Sequence, residues 1–345
     1  LRRFHFCEFI IYLIAFNFSL KLRFVLIISE GAAPSSAWKP TISSSATSTE
    51  KSAVTVRESS DQSDLKSKVF KIIKIQDGSI GLDGKTVVLT SDDYSIIYDE
   101  EVLGDQLVLF DWLHLHHEDF TGQYGKFYRA YRAAPWYIRN KKEAELMASN
   151  LGYNKVSDLK LDVSLKIRDY VVGGGFMFAM CSATDSFDIA LSAEGVDICE
   201  TMFDDDPSDP GYQGKINYGN TFAFKNFILE RSPMVYEFSS IDMTSKRKIN
   251  KETDYFTLMD YSAKWDPIPT MLIQNHTSLI KGFMGQTTAY ERDQIKANVL
   301  VMGEQKTNGE ARYIHGIKGK GFFTFYGGHD PEDYQHRVGD AKTEL

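Results

Sequence analysis

An α/β fold with a mainly parallel sheet is the architecture this sequence predicts, and three stretches carry the expectation. The first is Val171 to Ala190, VVGGGFMFAMCSATDSFDIA: three glycines, the apolar run Phe176 to Met180, then Cys181 and a polar, helical pattern. The second is a pair of amphipathic segments ahead of it, Asn140 to Leu151 and Ser157 to Val172. The third is Gly319 to Glu332, where an apolar strand ends in Gly327-Gly328-His329-Asp330. Helix, turn, buried strand and helix make a parallel α/β unit, and ligands in such sheets sit beyond the carboxyl ends of the strands.

The 345 residues, 43% apolar and 25% charged, allow one large domain or two ordinary ones. A net charge of −8 without a long basic run argues against a nucleic-acid partner. Residues 1–37 read as a leader, signal-like or a membrane anchor. Phe6 to Phe18 behind Arg2 and Arg3 has the character of a signal h-region, and Phe24 to Ile28 is a shorter second candidate. Gly31 to Ala33 and Ser35 to Ala37 offer small residues for cleavage, while Glu8, Lys21 and Arg23 argue against a full membrane span. The expected location is therefore outside the cytoplasm or in the cell envelope, with membrane or envelope association through the N-terminus.

Residues 38–68, rich in Ser, Thr and charged residues, read as a disordered linker. Residues 69–103 read as a small β unit, with strands at Val69 to Ile75 and Thr86 to Thr90. The main α/β domain then covers 104–345. Within it, residues from about 203 to 298 form a β-rich insertion, with β character at Thr221 to Phe238 and Tyr255 to Ile273. Val299 to Gly303 reads as a further strand, with Glu304 at its end. The acidic loop Phe203 to Gly211 lacks the full calcium-loop pattern and reads as a solvated turn.

Gln106 to Phe110 reads as a core strand running into Asp111-Trp112-Leu113-His114-Leu115-His116-His117-Glu118-Asp119. In an extended segment His114, His116 and Glu118 share a face, a spacing that metal sites use. The other reading is a polar loop at a strand end. The aromatic-rich stretch behind it, to Tyr137, either lines a cleft or covers the core. Trp112, His116, His117, Glu118 and Tyr124 are the candidate substrate-binding residues.

Cys181 follows its strand at once, with Ala179 and Ala183 as the small neighbours a sharp strand-to-helix elbow requires. A helix start there supplies backbone N–H groups that favour a thiolate, Ser182 N–H being the candidate oxyanion donor. Cys181 is then a nucleophile, or else a small buried apolar residue. His329 ends the terminal strand with Asp330 and Glu332 close behind, the parts of a base and its orienting acid. With only Cys7, Cys181 and Cys199, no disulfide framework is expected.

The elbow at Cys181 and the Gly-Gly-His-Asp-Pro-Glu ending resemble the class I glutamine amidotransferase-like superfamily. That resemblance implies a flavodoxin-like three-layer sandwich, Cys181 as nucleophile and His329 as base. The acid sits two residues after the histidine in that family; here Asp330 is one and Glu332 three away. The ending is also similar to the ThuA-like branch, which implies a link to carbohydrate. Asp111 to Gly125, Gly173 to Glu200, Ala263 to Thr288 and Tyr326 to Gly339 resemble bacterial proteins often labelled asparagine synthetase B. The ATP-pyrophosphatase loop of true asparagine synthetases is not matched, since Gly173-Gly174-Gly175 runs into Phe176-Met177 rather than Asp-Ser. A doubly wound fold adds a closing helix beyond the point where the chain stops, so further C-terminal residues are expected.

The expected function is an amidotransferase-like hydrolase of an amide or ester through Cys181, His329 and Glu332 or Asp330, with no cofactor. Its partner is a small-molecule or carbohydrate substrate. The alternatives are a non-catalytic carbohydrate- or envelope-binding module, and a metal-assisted hydrolase using His114 and His116.

Overall fold

The computed structural model describes residues 24–27, 94–115, 117–248, 250–259 and 278–328. Its strands in chain order are β1 (Phe24–Ile27), β2 (Tyr94–Ile97), β3 (Trp112–Leu115), β4 (Phe176–Met180), β5 (Tyr255–Leu258), β6 (Leu279–Lys281), β7 (Leu300–Gln305), β8 (Glu310–Lys318) and β9 (Gly321–Tyr326). The helices are α1 (Asp99–Leu103), α2 (Tyr128–Tyr131), α3 (Pro135–Asn150), α4 (Val156–Gly173), α5 (Ser182–Ser192) and α6 (Thr201–Asp204). β1 falls within the stretch expected as a leader.

One sheet runs β2-β1-β3-β4-β9-β8-β7-β5-β6. The joints from β2 to β9 are parallel, and those from β9 through β8, β7 and β5 to β6 are antiparallel. The expectation of a mainly parallel, flavodoxin-like sheet is therefore corrected: the fold is mixed α/β, and its seven strands from β3 to β9 curl into a half-barrel. The cause lies in the connections. β7, β8 and β9 are joined by short turns, and a short turn can only reverse the strand, whereas parallel neighbours need a crossover. Gly319 in the β8–β9 turn has φ +63°, and a Cβ there would come 2.6 Å from the Val172 carbonyl oxygen, so glycine is required.

Local reading succeeds where the pattern is self-contained. β4 covers the expected Phe176 to Met180, and α4 and α5 flank it as expected. α3 begins earlier than predicted, at Pro135, whose fixed φ suits a first helical turn. Gln106 to Phe110 is not a strand: Gln106–Leu109 is a 3-10 turn entered through Asp105 at φ 61°, and Val108 is 74% exposed. Thr221 to Phe238 is irregular, with isolated bridges Phe224–Ile295 and Leu229–Ser239. The strands expected up to Thr90, and the part of the Tyr255 to Ile273 stretch beyond residue 259, lie outside the described residues.

Alternation along the strands splits the sheet into two faces. Leu113, Leu115, Met177, Ala179, Phe323 and Phe325 join the main core, with Val163, Ile167 and Phe187 of the helices. On the other face Trp112, His114, Phe176, Phe178 and Tyr326 form an aromatic ladder, with Trp112 and Phe176 centroids 4.9 Å apart and Phe176 and Phe322 4.7 Å apart. The segment Phe222 to Phe224 also packs on the core, its rings 5.2 Å from Phe323 and 6.0 Å from Phe325. Each such ring contributes about 1.5–3 kcal/mol through the water it loses.

Two polar devices hold the irregular segments to this core. Asp188 of α5 accepts backbone N–H bonds from Phe222, Ala223 and Phe224 at 2.6, 2.7 and 2.8 Å. In the antiparallel half, Arg247, Asp254, Glu310 and Arg312 form a fully buried charge quartet. Arg312 Nη2 reaches Asp254 at 2.7 Å and Glu310 at 3.0 Å; Arg247 Nε reaches Glu310 at 3.1 Å and its Nη2 pairs with Asp254. Two cations against two carboxylates leave no net charge, which makes the burial tolerable.

Removing one member of either device should unfold the protein early. Asp188→Ala strands three buried N–H groups, and Arg312→Met leaves two buried carboxylates facing one guanidinium. Each is expected to cost about 3–5 kcal/mol. Urea unfolding checks this; an unchanged midpoint in either variant contradicts the assignment.

Candidate active site

The β4–α5 junction carries the most distinctive backbone in the fold. Cys181 adopts φ 55° and ψ −138°, a left-sided conformation that costs a non-glycine residue strain. Ala179 and Ala183 beside it are fully buried, so larger side chains would have no room. The Cys181 N–H bonds Tyr326 O of β9 at 3.3 Å, and its carbonyl accepts from Thr184 N at 3.1 Å and Thr184 Oγ1 at 2.7 Å. The neighbouring strand thus fixes the N–H of the cysteine and the helix its carbonyl. Ser182 opens α5, so its N–H belongs to the first-turn donors that no carbonyl within the helix can reach.

A roof closes over the thiol. Cys181 is 4% exposed, and its S–H donates to the Gln286 carbonyl at 3.0 Å. The Gln286 side chain in turn donates to Gly125 O at 3.2 Å and Tyr236 O at 2.6 Å, which ties together three separate loops. One of those loops is itself strained: Tyr124, Gly125 and Lys126 have φ of 52°, 67° and 57°. Asp119 holds it by accepting from Thr121 N and Gly125 N, both at 2.7 Å. Lys126 is buried, donates to Glu230 O and Ser232 O, and is pushed down to about 8 by desolvation.

The residues at the β3 end are distributed differently. Trp112 is buried against Phe176 and Phe178 within the sheet face. His114 stacks on Phe178 with centroids 5.3 Å apart, and burial pushes its imidazole down to about 3, so it is neutral. His117 is half-buried; Glu118 is buried, its carbonyl accepting from Ser186 Oγ of α5 at 3.0 Å. Tyr124 is buried edge-on to Tyr137, 6.2 Å between centroids, with the Lys141 ammonium 5.2 Å from its ring. His116, His329, Asp330 and Glu332 lie outside the described residues. β3, β4 and β9 are parallel neighbours, so Cys181 stands between the strand ends that lead to His117 and Glu118 on one side and to Gly327 and Gly328 on the other.

Among the described residues, one group brings three residues that can ligate a metal within 4.8 Å of one another: Asp197, Cys199 and Asp204. Lys155 already occupies its centre, pairing with Asp197 and reaching Asp204 at 3.1 Å and Asp206 at 2.8 Å. Cys199 donates its S–H to Thr121 O at 3.2 Å, and burial pushes its thiol up, so it stays protonated. The acidic 203–211 loop is thus anchored by a lysine. Sequence reasoning did not single out Gln286, Thr287, Asp185, Tyr236 or Tyr290, which surround the elbow; the polar run Gln286-Thr287-Thr288 between Gly285 and Ala289 was the available signal.

No protein-family model and no curated protein matches the chain. Two solved structures show a distant structural similarity. Cytoplasmic Protein STM3548 from Salmonella typhimurium is 11% identical with a TM-score of 0.30, over 68% of this chain and 69% of that one. Cytoplasmic Protein STM1381 from Salmonella typhimurium LT2 is 14% identical with a TM-score of 0.33, over 70% and 72%. No helix among the described residues is long and apolar enough to cross a membrane.

The neutral His114 makes stability pH-dependent in a defined direction. The unfolded imidazole takes a proton near 6.5 and the folded one only near 3, so between these values the unfolded state holds more protons. Stability therefore falls as pH drops from 7 to 4, by up to about 3 kcal/mol from this group. His114→Phe should lose correspondingly less over that range in chemical denaturation; equal pH slopes for the two proteins contradict it.

Proposed function

We propose that the chain is an amidotransferase-like hydrolase in which Cys181 is the nucleophile. The observation that carries this reading is the strained Cys181 backbone at the junction of a buried parallel strand and an eleven-residue helix. Such a turn lifts one side chain above the strand ends and aims first-turn N–H groups at the same place, which is what acyl transfer needs. In the reaction His329 takes the thiol proton and Sγ bonds to the carbonyl carbon of an amide or ester. The displaced electron pair goes to the carbonyl oxygen, next to Ser182 N–H. Collapse breaks the bond to the leaving amine or alcohol, which takes the proton from His329, and water then hydrolyses the thioester. Glu332 or Asp330 orients the imidazole.

A half-exposed aromatic group favours a second reading, binding of a carbohydrate or envelope component. Tyr131 and Trp136 lie 5.0 Å apart, Phe127 lies 5.8 Å from Tyr236, and Tyr131 and Tyr236 are 43% and 40% exposed. Exposed rings at this density suit the apolar face of a sugar. Under the hydrolase reading the same rings would hold the substrate's non-reacting portion.

A panel of aryl esters, primary amides and glycosylated amides separates the two. Cys181→Ala and His329→Ala should each lower turnover by about 10³-fold or more, and intact mass should reveal an acyl adduct on the wild type only. Turnover surviving Cys181→Ala rejects the nucleophile. Glycan binding without any turnover, lost on Trp136→Ala and kept on Cys181→Ala, makes the chain a binding module.

A further inference from the structure

The roof over Cys181 is held in a conformation its own backbone does not favour. Thr287, next to the carbonyl that receives the thiol proton, has φ +53°, a value rarely adopted by a β-branched residue. Two buried carboxylates hold it there. Asp242 accepts from Thr287 N at 2.8 Å, and Asp185 accepts from Thr287 Oγ1 at 2.9 Å. Asp242 is itself fixed by Thr244 N at 2.7 Å, and Thr244 Oγ1 bonds Gly285 O, so both sides of the Gln286–Thr287 turn are tied. Asp185 lies in the first turn of α5, four residues beyond Cys181. One helical turn therefore mounts the cysteine and grips its cover.

The charge count in this cluster is informative. Asp185 and Asp242 are 0% and 1% exposed, and Asp185 Oδ2 is buried with no hydrogen-bond partner. Thr287 Oγ1 stands 2.9 Å from one carboxylate and 3.5 Å from the other, and its single proton serves only one of them. Asp242 and Thr287 act on Asp185, and Glu237, Thr244 and Thr287 act on Asp242; Tyr290 feels both carboxylates together with Thr184 and Cys181. Burial, with the Asp242 carboxylate beside it, pushes the Asp185 carboxyl well above its ordinary range, and burial pushes Asp242 up to about 6.

We propose that Asp185, Thr287 and Asp242 form a clamp that positions the Gln286 carbonyl on the Cys181 thiol, keeping the thiol covered until the 286–288 turn lets go. All three are positioning residues, acting on the cysteine through the Gln286–Thr287 backbone. Because Thr287 is strained while clamped, release carries the turn toward an ordinary backbone conformation and uncovers Sγ. The proposal concerns the thiol's cover and stands apart from whether the chain is a hydrolase.

The test is the rate of Cys181 alkylation by iodoacetamide at pH 7.5 on the full chain, mapped by peptide mass spectrometry, with buried Cys199 as the monitor of global opening. Wild type should react slowly at Cys181. Thr287→Val, which removes the hydroxyl and keeps the strained β-branched backbone, and Asp185→Ala should each react about tenfold faster at Cys181 with Cys199 still protected. Asp185→Asn, which keeps the shape and an oxygen that accepts from Thr287 Oγ1, and Thr287→Ser, which keeps the hydroxyl, should stay within about twofold of wild type. If Asp185→Ala does not fold, the Thr287 pair carries the comparison. Alkylation of Cys181 in Thr287→Val at the wild-type rate overturns the clamp while leaving the hydrolase intact. Cys181 reacting no sooner than Cys199 in every variant also overturns it, because the thiol is then core.

Discussion

The polar face of a buried helix is the constraint on which this structure depends. All eleven residues of α5 are buried, yet six of them (Ser182, Thr184, Asp185, Ser186, Asp188 and Ser192) are polar or acidic. A hydroxyl or carboxylate in that position is costly unless it is hydrogen-bonded; Thr184 and Ser192 bond carbonyls three residues back, while Asp185, Ser186 and Asp188 recruit partners from distant segments. Ser186 ties the loop after β3, Asp188 gathers three N–H groups of the 222–224 segment, and Asp185 grips Thr287. The irregular middle of the chain has few ladders of its own. It is ordered because α5 supplies the acceptors its backbone lacks.

The sheet divides the work. Its parallel half mounts strand ends side by side and offers Cys181 at one of them, while its antiparallel half is locked by the Arg247–Asp254–Glu310–Arg312 quartet. The halves meet at β9, which is parallel to β4 and antiparallel to β8, and which also accepts the Cys181 N–H. Strain is concentrated where they meet. Cys181 and Thr287 both hold positive φ, and the Cys181 S–H donates to the carbonyl of Gln286, the residue before Thr287. Conformations of this kind persist only where neighbouring contacts over-determine them.

How much was readable in advance follows the range of the forces involved. The strand Phe176 to Met180 and the helices around it were legible because glycines, an apolar run and a helical period all lie within twenty residues. Gln106 to Phe110 has the composition of a strand, but the left-handed Asp105 turns the chain so that Val108 and Leu109 face outward. β8 was not singled out, since Glu310 and Arg312 look like surface residues until Asp254 and Arg247 meet them from more than fifty positions away. For the site, Cys181 and its small neighbours were visible, whereas the roof was not: Gln286 lies 105 positions away from the thiol it covers.

The sequence by itself determined the α/β class, the elbow and its cysteine, because short-range periodicity and steric demand act between near neighbours. Tertiary structure alone decided the sheet's handover from parallel to antiparallel and the neutral state of His114. It also decided the closure over Cys181. Each of these depends on which distant backbone and charges are brought into a space without water, and no local pattern encodes that.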